Sequence, residues 1–338
     1  MKYLKLSSLI SIAAMLLLFN SCKDENTDPK EFVFPSKVIN KIVVDNAGVK
    51  WFATDKGVIS YDGSKWTSYS DDKKLSSDKI SDFAFEVGTG LNKLWLGSNV
   101  GLSNFDFGSS AIKFTNYNKA NSEILSDTIS AVGIDKSKVK YVGTSKGISI
   151  FKDGKWTQFV GRLYEEILSM YKITSIASAS NGYIYATTEG GGVSRFKYTA
   201  DAVSGATTFN LPWAGGLPSD TVYCVLTDNN NQWYGTKRGA ALHTNEFAKE
   251  NWDATYTRES GLICDSVYTI AKSSSGDIWF GTHKGISKLS GETWKNYTTK
   301  DGLVDNKINT IAFDTDGSVW IGTDKGISHF GNNKWVNF

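Results

Sequence analysis

The chain is predicted to be all-β, a propeller of seven blades with four antiparallel strands in each. Three observations lead there. A phrase of the form "VWIGTDKGISHF", Val319 to Phe330, occurs in seven variants, and its aromatic anchors are spaced 41 to 48 residues apart. Each copy also divides into short strand-like runs separated by turns rich in Asp, Asn and Gly. A repeat in the forties with strand alternation is a supersecondary unit stacked on copies of itself, and four-stranded units of that length arranged radially make a propeller.

The copies are "WFATDKG" from Trp51, "WLGSNVG" from Trp95, "YVGTSKG" from Tyr141, "YATTEGG" from Tyr185, "WYGTKRG" from Trp233, "WFGTHKG" from Trp279 and "WIGTDKG" from Trp320. The last unit reads as "INTIAF", turn "DTDG", "SVWIGT", turn "DKG", "ISHF", turn "GNN" and "KWVNF". The first unit matches it from Ile39 to Trp51, with Asp45 and Gly48 in the turn where Asp314 and Gly317 stand. Asp supplies side-chain caps and Gly supplies positive φ, so these residues are assigned to hairpin geometry. Runs such as "INTIAF", "VYTIAK" and "ITSIAS" are largely apolar or small, which predicts inner strands sandwiched on both faces. Nine of the eleven Trp fall in register, five in second strands and four in fourth strands. Burying each would remove about 150–250 Å² from water, worth at most about 4–6 kcal/mol, so they are assigned to packing between blades.

Composition agrees. Four Pro, 32 Gly and 13 % aromatic residues favour strands and turns over a helical bundle. At the N-terminus, Lys2 and Lys5 precede an apolar run from Leu9 to Phe19 that is too short to anchor in a bilayer but suits a secretory signal. The run ends "LLLFNSC", which resembles the lipobox of bacterial lipoprotein precursors, with Phe19 where Leu is usual. That resemblance implies cleavage after Ser21, a lipid on Cys22 and attachment to a membrane through it. Residues 1–21 are then the signal, 22–36 a polar tether that includes "KDENTDPKEF", and 37–338 the propeller. Lys23, Asp24 and Glu25 resemble the export signal that places some lipoproteins on the outer face of the outer membrane, so the expected address is the cell surface, with the periplasmic face next.

Removing the signal takes away Lys2 and Lys5 and leaves 35 basic against 35 acidic residues. Interspersed charges with no basic excess argue against a nucleic-acid partner. Cys224 and Cys264 are left either as a disulfide pair or as two buried thiols, and no metal-ligand spacing is present. The turn "DG", the "WxGT" core and the following Gly resemble the two-component regulator propeller family over residues 37–338. The family implies a propeller that commonly serves as an extracytoplasmic sensor, often for carbohydrate fragments. No kinase-like segment follows in this sequence.

In a propeller, the connections from fourth strand to next first strand, and from second strand to third, open around the channel on one face. The second kind offers Asp55-Lys56, Asn99, Ser145-Lys146, Glu189, Lys237-Arg238, His283-Lys284 and Asp324-Lys325. Positions that vary between units are the ones not needed to build the blade. Two connections also depart from the consensus: "GRLYEEILSMY", which brings Arg162 and Tyr164, and "GATTFNLPWAGG", which brings Trp213 outside the repeat register. An aromatic platform beside Arg, Lys and Asp suits a sugar, whose ring stacks while its hydroxyls bond polar groups. The expected ligand-binding residues are therefore Arg162, Tyr164, Trp213, Lys237, Arg238, His283, Asp324 and Lys325.

Chemistry has less support. Four Arg are too dispersed for a sialidase cluster, no nucleophile elbow is present, and His243, His283 and His329 are scattered. The sequence thus predicts a non-catalytic envelope-anchored propeller, without cofactor or metal, that binds a glycan fragment or docks another envelope protein. The alternative is a propeller hydrolase or lyase acting on glycans, which requires convergent carboxylates or a base with an electrophile.

Overall fold

Each repeat folds as a meander in which four consecutive strands pair antiparallel, first to fourth from the channel outward. The computed structural model of the chain describes residues 32–69, 75, 77–88, 91–107, 113–160, 171–209, 216–244 and 252–338. Blade 1 comprises Ile39–Val44, Lys50–Thr54, Gly57–Tyr61 and Trp66–Ser68. Blade 7 comprises Ile308–Phe313, Val319–Thr323, Ile327–Gly331 and Lys334–Asn337. Between them, blades 2 to 6 open on the inner strands Ile80–Gly88, Ala131–Ile134, Ile173–Ser178, Val222–Asp228 and Val267–Lys272. The seven four-stranded sheets form a closed ring in which each inner strand packs on the next and the seventh on the first.

Every letter of the repeated phrase has a structural task. In blades 1, 3 and 7 the aromatic residue of the second strand is tied by its polar atom to the acid of the preceding turn: Trp51 Nε1 donates to Asp45 at 3.0 Å, Tyr141 Oη to Asp135 at 2.9 Å and Trp320 Nε1 to Asp314 at 3.3 Å. The Thr closes the next turn, as Thr323 Oγ1 donates to the Gly326 carbonyl at 2.8 Å and accepts from the Lys325 amide at 3.0 Å. Gly326 sits there at φ +132°, a conformation only glycine adopts without strain. The Gly before the Thr is a socket. A Cβ on Gly322 would lie 2.6 Å from Ile39 Cγ2 of blade 1, and one on Gly143 would lie 2.6 Å from Ile173 Cγ2 of blade 4. Gly97, Gly235 and Gly281 receive Ile129, Val267 and Ile308 in the same way. In five joints, then, an aliphatic residue at the start of the inner strand plugs into a glycine of the preceding blade, while Ala53 and Thr187 stand at that place in blades 1 and 4.

Burial differs from the sequence expectation in one respect. The second strands are the ones buried on both faces, end to end in "KWFAT", "KYVGT", "IWFGT" and "VWIGT". Inner strands such as "INKIVV" and "ITSIAS" bury only their first and fourth residues. The cause is a β-bulge just after the first residue, present in six of the inner strands, which resets the two-residue alternation and turns the bulged side chain toward the channel.

The ring closes without an exchanged strand, because Lys334–Asn337 supplies the fourth strand of blade 7 from its own repeat. Across the seam, Lys50 and Asp314 pair at 2.8 Å with both side chains nearly buried. Burial opposes ionisation of Asp314, but hydrogen bonds from Lys50 and its neighbours hold its carboxyl below the usual range. Phe338 stacks on Trp320 and meets Trp66 edge-on, and Phe34 lies against the same Trp66. Because the seam uses the same socket as an internal joint, Gly322→Ala and Gly143→Ala should each destabilise the fold by about 1–3 kcal/mol, measured from urea midpoints. A cost at Gly143 with none at Gly322 would show that the seam is not a true joint.

Candidate functional site

The bulged residues build the mouth of the channel. In four blades they form a belt, joined by Ser130 at the corresponding place of blade 3, in which each side chain donates to a carbonyl at the start of the next inner strand or just before it. Asn40 donates to Ile80 at 2.7 Å, Ser81 to Ile129 at 2.7 Å, Ser130 to Ile173 at 2.5 Å, Thr174 to Val222 at 2.5 Å and Asn309 to Ile39 at 3.1 Å. Blades 5 and 6 break the pattern. There the bulge carries Tyr223 and Tyr268, whose rings lie against each other at 4.7 Å between centroids and 35° between planes.

Around this pair opens a cavity of about 590 Å³ lined by residues of all seven blades, among them Lys79, Lys172, Lys307, Asn99 and Thr128 beside the belt residues. The volume lies in the usual range of small-ligand pockets. Burial first, then the neighbouring Tyr268 and Glu189, push the Tyr223 hydroxyl above its usual pKa, so it remains protonated and able to donate. Among the described residues no carboxylate lines the cavity. Two acids touch its lining from behind: Glu189 faces Lys172 at 3.8 Å, and Asp324 accepts from Lys307 and from Asn309 at 2.7 Å each.

The residues expected from sequence are distributed unevenly about this mouth. Arg162, Tyr164 and Trp213 lie outside the described residues, as does Cys22. Asp324 reaches the mouth by holding Lys307 and Asn309, and its carboxyl stays below the usual pKa because those hydrogen bonds outweigh its burial. His283 meets the Tyr268 ring edge-on at 6.4 Å and has its ring nitrogens 3.6 and 3.7 Å from Cys264 Sγ. Lys237 is held by its backbone, its amide donating to Thr221 and its carbonyl accepting from Ser266. Arg238 instead lines a separate cavity of about 650 Å³ with Arg258, Glu259 and Asp265, and Lys325 turns to Asp305 at 3.3 Å. Successive residues of these turns therefore point to different places.

Asp127 and Asp265 act as loop ties, accepting from the Lys119 and Arg258 amides at 2.7 Å. Cys224 and Cys264 are both free thiols, and burial pushes Cys224 up to about 12, where it has no thiolate chemistry near neutrality. Among the described residues no three His, Cys, Asp or Glu side chains gather to hold a metal ion. The tyrosine pair and the lining lysines were not identified from the sequence. The signal was present in the second letter of the inner strands, which reads Asn, Ser, Ser, Thr, Tyr, Tyr, Asn around the ring at positions 40, 81, 130, 174, 223, 268 and 309.

The two-component regulator propeller model matches residues 261–284 and 302–325, so blades 6 and 7 carry repeats of that family. No curated protein is significantly similar in sequence. Among solved structures the chain is similar to the extracellular domain of a putative hybrid two component system from B. thetaiotaomicron, at 19 % identity and TM-score 0.68, covering 88 % of this chain and 38 % of that one. It is similar to PorZ, a surface component of the type-IX secretion system of Porphyromonas gingivalis, at 17 % identity and TM-score 0.69, covering 89 % and 48 %. It is also similar to a streptogramin B lyase, at 14 % identity and TM-score 0.68, covering 91 % and 96 %. At these identities the likeness is one of fold, and the chain spans less than half the length of the first two proteins.

If the tyrosines serve the mouth and not the ring, replacing them with belt residues should be harmless to stability. Tyr223→Thr is expected to restore a donor to the Val267 carbonyl and to change stability by no more than about 1 kcal/mol, the usual net worth of one hydrogen bond. Trp279→Ala, in a position only 4 % exposed, should instead cost about 3–5 kcal/mol. Urea unfolding of both variants makes the comparison, and a large loss for Tyr223→Thr would assign the pair to packing.

Proposed function

We propose that this protein is a non-catalytic binding propeller of the bacterial envelope, held to the outer membrane by a lipid on Cys22, whose channel mouth captures a glycan fragment. The observation that carries the reading is the tyrosine pair at the two positions where the belt abandons its small donors. A sugar ring presents an apolar face that stacks on such a platform, while its hydroxyls exchange hydrogen bonds with groups of the kind supplied by Asn40, Asn309, Ser81 and the tyrosine hydroxyls. Binding suits this mouth better than catalysis. Glycoside cleavage uses two carboxyl groups about 5–9.5 Å apart across the scissile bond, whereas among the described residues the lining has none and Asp324 is already held by Lys307 and Asn309.

The address rests on the lipobox-like "LLLFNSC" and the acidic residues after it, with residues 1–21 as signal, 22–36 as tether and 37–338 as the binding domain. The extracellular and surface placement stated for two proteins of similar fold supports it. A second reading, docking of another envelope protein, is favoured by Val100, Val160 and Tyr171, large apolar residues left 37–40 % exposed in connections on the mouth face of blades 2 to 4.

A glycan array followed by calorimetry tests capture. An oligosaccharide should bind the mature protein, and Tyr223→Ala with Tyr268→Ala should weaken it at least tenfold, about 1.4 kcal/mol, with the melting temperature little changed. Incubation with mixed polysaccharides should release neither new reducing ends nor unsaturated products. If no oligosaccharide binds, the sugar reading is abandoned for docking. Anchoring is tested separately: Cys22→Ser should abolish incorporation of radiolabelled palmitate and move the protein from the detergent phase to the aqueous phase.

A further inference from the structure

We infer that the saccharide taken by this mouth is anionic, carrying carboxylate or sulfate groups; the inference rests on the glycan reading above. Its basis is where the lysines stand relative to the tyrosines. The residue immediately before the seated aliphatic lines the mouth in four blades, and in blades 4 and 7 that residue is Lys172 and Lys307. Blades 5 and 6, which carry Tyr223 and Tyr268, lie between those two in the ring. The aromatic platform is therefore flanked by one lysine on each side, with a third, Lys79 of blade 2, elsewhere on the rim. The same position in blades 1, 3, 5 and 6 holds Val38, Thr128, Thr221 and Ser266, so lysine there is not part of the repeat.

The charge is local. The mature chain balances 35 basic residues with 35 acidic ones, yet among the described residues the cavity lining contains three lysines and no carboxylate. Acids do stand behind the lip, and they do not all cancel it. Glu189 reaches Lys172 only at 3.8 Å, with both side chains more than half exposed, a geometry that holds little free energy. Asp324 holds Lys307 firmly, which positions the ammonium at the lip and leaves its remaining protons to a ligand. Lys79 stands in no ion pair among the described residues. Asp55, in the corresponding turn of blade 1, is the further acid of that ring. Tyr223, kept protonated, adds a neutral donor between the lysines. A uronic acid or sulfated sugar stacked on the pair would place its anionic substituent toward Lys172 or Lys307, whereas a neutral sugar would leave the lysines with water.

The mature lipoprotein in nonionic detergent is titrated by calorimetry with a galacturonic acid hexamer, a neutral galactose hexamer and a chondroitin sulfate hexasaccharide, each at 50 and 300 mM NaCl. At least one acidic oligosaccharide should bind tenfold or more tightly than the neutral one, and its advantage should shrink several-fold at the higher salt. Lys79→Gln with Lys172→Gln should lower acidic binding several-fold while the melting temperature is retained; Lys307 is left in place because Asp324 and Asn309 are organised around it. The uronate and sulfate arms identify which anion is read. Equal binding of neutral and acidic hexamers, with sensitivity to Tyr223→Ala, overturns the anionic specificity and keeps glycan capture. Absence of binding by all three overturns this inference, while capture itself then stands or falls by the wider array.

Discussion

The fold depends on one kind of joint, repeated around the ring: an aliphatic side chain at the start of an inner strand seated against a small residue of the preceding blade. That residue is a glycine without side chain in five of the seven joints, and Ala53 and Thr187 in the other two. Ile39 in the Gly322 socket, Ile173 in that of Gly143 and Ile308 in that of Gly281 are the same contact. It sets how closely neighbouring sheets approach, and a methyl group added to the socket has nowhere to go. The Trp and Tyr of the second strands then fill the wedge that opens further out, as Trp51 does against Phe105 and Phe107, and Trp279 against Phe313. Because the joint is local and of one kind, the ring can close on itself with blade 7 meeting blade 1 as any blade meets its neighbour.

The bulge that follows the seated aliphatic links this packing to function. A regular strand would turn its second residue away from the first by simple alternation; the bulge instead aims it along the rim and leaves the third residue to pack against the next blade. Thr310 shows the result at the seam, accepting from the Ile42 amide at 3.2 Å, and Asp82 does the same for Val132 at 2.8 Å. The second residue is thereby released from the core. Most blades use it for a small donor that ties the rim together, and two use it for tyrosine. The belt tolerates this because the sockets, not the belt, carry the blade-to-blade packing.

This division explains what could be read in the sequence. The seven-bladed all-β architecture was legible because every blade must repeat Trp or Tyr, a small residue, Thr or Ser and Gly to make the same joint and the same turn. Asp324 and His283 were expected at the mouth because they vary within that frame, and Asp324 accepts from the lining residue Asn309 while His283 faces the Tyr268 ring edge-on. Arg238 and Lys325 are their sequence neighbours or counterparts, but a turn directs consecutive side chains differently, and letters alone do not record direction. Tyr223 and Tyr268 were hidden for another reason. Read as a sandwiched strand, "VYTIAK" makes its tyrosine one more buried aromatic, and only the bulge, a backbone feature without a residue signature of its own, brings it to the mouth.

A closed ring also bears on how well such a mouth can recognise anything. The lining residues come from blades far apart in sequence, so an open stack would let Lys172, the tyrosine pair and Lys307 drift with each inter-blade angle. The five glycine sockets, the Lys50–Asp314 pair at 2.8 Å and the stacking of Phe338 on Trp320 fix those angles before a ligand arrives. Lysine side chains remain free to adjust within that frame, whereas Asn309 and Asp324 hold Lys307 from below. Less ordering would then be left to occur on binding, which is where the weak individual contacts with the proposed glycan would gain their combined effect. The packing at the seam, distant from any ligand, is in this sense part of the recognition surface.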